Sequence, residues 1–138
     1  MAGRDIYGMR QVVLIVDDEA CVLDLCVAIL ARAGFEVLRA ASAEEALRVG
    51  RLHPGRIHLM LCDVVMPVVS GTVLADQFEC LHPETRYLFM AGFPDNPEIA
   101  ERVVARGRPF LAKPFMPQTL VRKVRDILNS GHAMAALA

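Results

Sequence analysis

The stretch "VVLIVDDE", residues 12–19, joins five apolar residues, Val12 to Val16, directly to three acids, Asp17, Asp18 and Glu19. A strand with one wet face alternates apolar and polar residues. An unbroken β-branched run is instead the pattern of a strand buried on both faces, as in a parallel sheet covered by helices. Three adjacent carboxylates cannot follow the run into a dry interior unpaired, so they mark the C-terminal end of the strand as an edge that meets solvent.

Working outward, the apolar positions Val22, Leu25, Cys26, Ile29, Leu30 and Ala33 recur at helical spacing, and Gly34 follows as a C-cap. "EVLRA" (residues 36–40) predicts a short strand. Ser42 and Glu45 form a capping-box pattern that opens a helix to about residue 51, where His-Pro-Gly ends it. Residues 57–62 repeat the buried-strand pattern and lead directly into Asp63. A loop beginning at Met66–Pro67 reaches Gly71, a helix is predicted over 72–80 and a strand over 86–91. Asn96 and Pro97 predict a helix start with the helix running to Gly107, and "PFLA" (109–112) a last strand. From Pro117 a final helix carries its core stripe on Leu120, Val121, Val124, Ile127 and Leu128, and "SGHAMAALA" is expected to fray.

This is β-α five times over, with no linker and no internal repeat. It implies a parallel sheet with helices on both faces and right-handed crossovers. In open sheets of this kind ligands bind at the C-terminal strand edges. The polar residues fall there: Asp17, Asp18 and Glu19 after the first strand, Asp63 after the third, Ala91–Gly92 after the fourth, Lys113–Pro114 after the fifth. Clustered carboxylates repel unless a cation joins them, and oxygen ligands with room for water suit a hard divalent ion, magnesium or manganese. A carboxylate so placed can act as a nucleophile toward a phosphoryl group. Lys113 would supply the second positive charge that phosphoryl transfer needs.

Bulk properties agree with one packed domain and exclude other classes. The chain has 138 residues, 54% of them hydrophobic, with fifteen basic against sixteen acidic residues and a net charge of −1. Mean hydropathy is +0.37. No basic run suggests nucleic acid, no apolar run approaches a membrane span, and the N-terminus has no signal-peptide pattern, which makes a cytoplasmic location the expectation. Cys21, Cys26, Cys62 and Cys80 form no C-x-x-C pair and are expected as reduced, buried thiols. A nucleotide-binding reading fails because no glycine-rich turn follows the first strand.

"VLIVDDE", "LMLCDVVMPVVSG", "FMAGF" and "FLAKPF" together resemble the receiver domain of bacterial two-component response regulators, most of all receivers attached to hybrid histidine kinases. The resemblance spans about residues 11–130, leaving residues 1–10 as an N-terminal extension and 131–138 as a flexible tail. It implies a flavodoxin-like doubly wound sheet of order 2-1-3-4-5 in a single domain. It implies Asp63 as phosphoacceptor, and magnesium or manganese held by Asp18, Asp63 and the Val65 backbone carbonyl, with Asp17 acting through water. Lys113 would contact the phosphoryl group, Val64 and Gly92 would offer backbone N–H groups, the bond before Pro114 would be cis, and Phe110 stands at the aromatic switch position. The implied partner is a histidine kinase or histidine phosphotransfer domain, with no nucleic acid or membrane; a weak homodimer is left open.

Two positions depart from the pattern. Ala91 stands where the family usually has Ser or Thr, which removes a hydroxyl that would bind the phosphoryl oxygen. On the first helix Leu23, Val27 and Ala31 form an apolar stripe that serves either packing under the last helix or docking of a histidine-bearing helix. The alternative to a phosphoacceptor is a receiver that has lost signalling and acts as a protein-binding module. An aspartyl-phosphate hydrolase fits less well, since Val65 stands where its second acid would be. No DNA-binding or catalytic output domain fits after residue 129, so the chain is expected to act alone by docking or as a piece of a larger regulator.

Overall fold

The computed structural model describes residues 4, 8–92 and 107–137, with 131–137 as backbone only. Five strands form one parallel sheet in the order β2-β1-β3-β4-β5: β1 (Val12–Val16), β2 (Glu36–Ala40), β3 (Leu59–Asp63), β4 (Arg86–Gly92) and β5 (Phe110–Lys113). The helices are α1 (Ala20–Arg32), α2 (Ala43–Leu52), α3 (Gly71–Leu81) and α4 (Pro117–Leu137). The expected helix between Asn96 and Gly107 lies outside the described residues.

The uninterrupted apolar runs are explained by two cores, one on each face. Alternate residues of each strand take opposite sides. Val12, Leu14, Val16, Met60, Cys62, Phe89 and Ala91 pack with Ala43 and Ala46 of α2 and with Leu74, Ala75 and Phe78 of α3. Val13, Ile15, Leu59, Leu61, Leu88 and Met90 pack with Leu23, Cys26 and Leu30 of α1 and with Leu120, Val124 and Leu128 of α4. Each large side chain so buried contributes about 1.5–3 kcal/mol. No helix among the described residues is long and apolar enough to cross a membrane.

The helix ends follow their sequence signals. Ser42 Oγ accepts from the Glu45 amide at 3.1 Å while Glu45 reaches back to the Ala41 amide at 3.2 Å. Ser70 caps α3 in the same way, accepting from Val73. Gly34, at φ +99°, turns the chain out of α1 in the left-handed region where a side chain would be strained.

Two expectations are corrected. Leu25, assigned to the core of α1, is 53% exposed, whereas Leu23, from the candidate docking stripe, is buried. The inward face of α1 is Leu23, Cys26 and Leu30, with Val27 partly buried against the same core and Ala31 exposed. Two overlapping apolar stripes on one helix leave its rotation to be chosen by its packing partners, here the sheet and α4. Of the four free cysteines only Cys26 and Cys62 are buried; Cys21 and Cys80 are exposed. The backbone of α4 is helical through "SGHAMAAL" to Leu137, in keeping with the helix propensity of Ala, Met and Leu.

Candidate functional site

The site is built where the winding of the sheet reverses, at the C-terminal ends of β1 and β3, which lie side by side. Asp17 follows the last residue of β1, and its amide continues the ladder to Ala40 O at 3.2 Å. Asp63 is the last residue of β3. Lys113 is the last residue of β5, two strands away, and pairs in register with Gly92 of β4. Strand ends fixed by hydrogen-bonded neighbours therefore hold all three side chains, and Asp18 begins the turn into α1.

The geometry is tight. Carboxylate oxygens of Asp17, Asp18 and Asp63 all lie within 4.8 Å of one another. Lys113 Nζ donates to Asp17 Oδ2 at 2.9 Å and to Asp63 Oδ2 at 3.3 Å. Asp17 is fully buried, and its other oxygen accepts the Glu19 amide at 2.9 Å. Asp63 Oδ1 accepts the Val65 amide at 3.1 Å. Burial raises the Asp63 carboxyl from 3.8 to about 6, with Lys113 pulling down and Asp17 pushing further up. Burial disfavours the charge on Lys113, yet its bonds to Asp17 and Asp63 leave it above the usual lysine value. The Cys62 thiol beside this group is raised by burial and then by Asp63, so it stays protonated.

One lysine is thus shared between two buried acids, with a third acid exposed beside them. This donor set has only hard oxygens and an excess of negative charge, which is the chemistry a small divalent cation complements. The residues present fit such an ion.

The loop after Asp63 is held by two features. The Gly71 amide donates to Val64 O at 2.9 Å, and a Cβ on Gly71 would lie 2.4 Å from the Asp63 carbonyl oxygen. Only glycine lets α3 start this close to the acid. The Val64 amide is corrected as a candidate phosphoryl donor, because it donates to Met90 O at 2.9 Å as part of the sheet. The amide turned toward the carboxylate is that of Val65. Strand pairing decides this, since residues on one edge of a strand spend alternate amides on the neighbour.

The other singled-out residues fall as follows. Ala91 is buried at the end of β4 with Gly92 half-exposed beyond it, and Phe110 packs partly against the α2–α3 core. The Lys113–Pro114 peptide is cis. A cleft of about 530 Å³ opens at the acids, walled by Val22 and Leu25 of α1, by Val65, and by Pro114 and Phe115. Val65 and Pro114 were singled out from the sequence for other roles, whereas Val22, Leu25 and Phe115 were not expected at the site. The signal was present as Val22 and Leu25, but it was assigned to the core.

Comparison with known proteins decides the class: the family described as "Response regulator receiver domain" matches residues 13–125. The chain belongs to this family. Among curated relatives the receiver is 32% identical over 133 residues to the sensor kinase CckA of Brucella abortus, which covers 92% of this chain but 13% of that protein. It is 25% identical to the response regulator SaeR of Staphylococcus epidermidis, over 83% of this chain and 49% of that one. The receiver therefore spans half or less of the length of these relatives. Among solved structures it is similar to a CheY-like receiver domain protein from Methanospirillum hungatei JF-1, with TM-score 0.78 and 28% identity over 90% of this chain and 98% of that one. It is also similar to the receiver domain of the hybrid histidine kinase CckA, with TM-score 0.72 and 31% identity over 85% and 98% of the two chains. The five-stranded order 2-1-3-4-5 is the flavodoxin-like arrangement expected from the sequence.

Proposed function

We propose that this receiver takes a phosphoryl group onto Asp63 from a histidine kinase or histidine phosphotransfer domain and later loses it to water. The observation that carries the reading is the shared lysine: Lys113 spans Asp17 and Asp63 at 2.9 and 3.3 Å, at the bottom of an open cleft. An oxygen of the Asp63 carboxylate attacks phosphorus, the bond from phosphorus to the donor's imidazole nitrogen breaks, and an acyl phosphate forms on Asp63. With its carboxyl at about 6, Asp63 is mostly ionised at neutral pH and able to attack.

Asp18, Asp63 and the Val65 carbonyl, with Asp17 through water, would hold magnesium or manganese, which offsets charge on the phosphoryl oxygens. Lys113 binds the phosphoryl group by exchanging its bond to Asp63 for one to a phosphoryl oxygen while keeping Asp17, and the Val65 amide supplies a neutral donor beside it. In this reading the chain acts on itself and releases no product other than phosphate. The donor's helix is expected against the apolar wall of Val22, Leu25 and Phe115, which replaces Leu23, Val27 and Ala31 as the docking surface.

A second reading is favoured by one residue. Ala91 offers no hydroxyl to the phosphoryl group, and a hydrogen bond to a charged group is worth about 1.5–3 kcal/mol. Loss of that bias weakens an inactive-to-active shift by roughly ten- to a hundred-fold. Asp63 then accepts phosphate with a weak conformational response, and the limiting case is a receiver that works as a protein-binding module.

Intact mass after treatment with acetyl phosphate and magnesium tests the main reading. One added phosphoryl group is expected on the unmutated chain and none on Asp63→Asn. An unmodified parent chain would promote the binding-module reading. Ala91→Ser tests the readout: it should enlarge the spectral change induced by acetyl phosphate, and an unchanged amplitude would remove Ala91 as the cause of weak switching.

A further inference from the structure

The loop that follows Asp63 carries five apolar residues in a row, Val65 to Val69, and none of them is buried. Both of its ends are fixed. The Val65 amide is bound to Asp63 Oδ1 at 3.1 Å, and beyond the loop the Gly71 amide closes onto Val64 O at 2.9 Å. At the crest the Val69 amide donates to Pro67 O at 2.8 Å, which makes a three-residue turn with Val68 at its centre. Val68 takes φ +70° there, the rare and strained hand of such a turn. Glycine or asparagine adopts this conformation readily, whereas a β-branched residue is an outlier in it.

Nothing inside the chain is gained by the valine. Its side chain is 103% exposed and belongs to neither core. Backbone strain without an internal benefit collects at functional surfaces. The surroundings of the loop are of that kind, because it forms a ridge between two clefts. On one side Val65 walls the larger cleft, which holds Asp63 and Lys113. On the other, Met66, Val68 and Val69 line a second cleft of about 220 Å³ together with Ala41, Ala43 and Asp18. Members of one acid cluster, Asp63 and Asp18, therefore lie on opposite flanks of an exposed apolar ridge.

A second copy is an unfavourable occupant of this ridge. Packing the same face against itself would bring Asp18, Glu19 and Glu44 of both copies together, and like charges opposed across an interface cost affinity. A body that carries a phosphoryl group to Asp63 covers the ridge in any case, since Val65 walls the same cleft. We propose, resting on the phosphoacceptor reading above, that Val68 and the smaller cleft form the second half of the donor's docking surface. An aliphatic side chain near the donor's histidine packs on Val68 and enters this cleft, with a basic group beside it facing Glu44. The donor thus straddles the loop instead of touching only the α1 side of it. Because both ends of the loop are fixed, Val68 is held out before the donor arrives, and no ordering of the loop is needed on binding.

Phosphate uptake by full-chain variants from two kinds of donor tests this. Acetyl phosphate needs no docking. The protein donor is whichever member of a panel of phosphorylated histidine phosphotransfer domains and kinase cores transfers fastest to the parent chain. Val68→Thr keeps the branch and the strain but puts a hydroxyl in place of a methyl, Val68→Asn relieves the strain, and Val68→Ile stays branched and apolar. Uptake from acetyl phosphate should match the parent in all three. With the protein donor, Val68→Thr and Val68→Asn should raise the half-saturating concentration by about five- to tenfold at unchanged maximal rate, the scale of one lost valine contact. Val68→Ile should transfer as the parent does. Val68→Asn should also be more stable than the parent in urea, so that its slower transfer cannot come from unfolding. Equal half-saturation for the parent, Val68→Thr and Val68→Asn would overturn the proposal, as would a parent chain that no protein donor serves faster than acetyl phosphate does. Unchanged transfer from a Val68→Asn chain that has lost a dimer seen in the parent would assign the ridge to a second copy instead. A parent chain that takes nothing from acetyl phosphate would sink the phosphoacceptor reading itself.

Discussion

The two ends of the sheet handle buried polarity in opposite ways. At the N-terminal end, short polar contacts join His82, Glu84, Thr85, Ile57 and Gly50 into one cluster around a single carboxylate. At the C-terminal end Asp17 and Asp63 compete for one lysine, and burial leaves the Asp63 carboxyl raised to about 6. The first arrangement stabilises two helices against each other. The second keeps negative charge in excess at cost to stability. That excess is what a cation and a phosphoryl group can use. The same fold therefore separates holding from reacting along the length of its strands.

The contrast can be broken most strongly at the stabilising end. Phe78→Ala removes a fully buried ring that packs against both Gly50 and His82, and should cost about 3–5 kcal/mol in urea unfolding. Uptake of phosphate by the folded fraction should stay near the parent value. A loss of uptake out of proportion to unfolding would show that the two ends are not separate.

At the reacting end, Gly71→Ala pushes a Cβ into the Asp63 backbone. It should cost about 1–3 kcal/mol and also slow phosphate uptake from acetyl phosphate, measured by mass. Asp63→Asn should do the reverse for stability. The folded carboxyl is raised above its unfolded value, so its contribution is complete below about pH 4 and is lost as pH rises through about 6. At about pH 7.5 the Asn variant should be more stable than the parent by about 1–3 kcal/mol. That gap should close as pH is lowered toward 4, and magnesium should stabilise the parent alone. A gap that is constant with pH would mean that Asp63 is not the strained charge.

The smallest expected effect lies in the loop between them. Val68 has φ +70° and is fully exposed, a left-handed conformation that a β-branched residue adopts at a cost of about 1–2 kcal/mol. Val68→Gly should raise stability by about 1 kcal/mol, less than the strain relieved, because glycine also loosens the unfolded chain.

The sheet and its acid edge were legible because each signal is local and continuous. Val12 to Val16 and Leu59 to Cys62 can be buried on both faces only in the middle of a covered sheet, and Asp17 and Asp63 follow them without a gap. The rotation of α1 was not legible, because Val22–Leu25 and Leu23–Val27 are equally apolar and tertiary packing against the sheet and α4 selects between them. Nor was the exchange of Val64 for Val65 as the amide at the acid, which depends on the pairing of Val64 with Met90. The contact between His82 and Gly50 was invisible for a similar reason: Gly50 is 32 positions away, and only folding brings its carbonyl opposite the ring.

Lys113 also has a consequence for the order of folding. Its two carboxylate partners lie 96 and 50 positions earlier in the chain, so these are among the most distant contacts in sequence. Contacts of such separation close late, after the entropy of the intervening loop has been overcome. Until β5 has joined the edge of the sheet, Asp17 and Asp63 stand together without their shared cation. Competence at the acid site therefore reports that the last strand has docked, and a ribosome-bound chain that has not yet released residue 113 should be unable to take up phosphate.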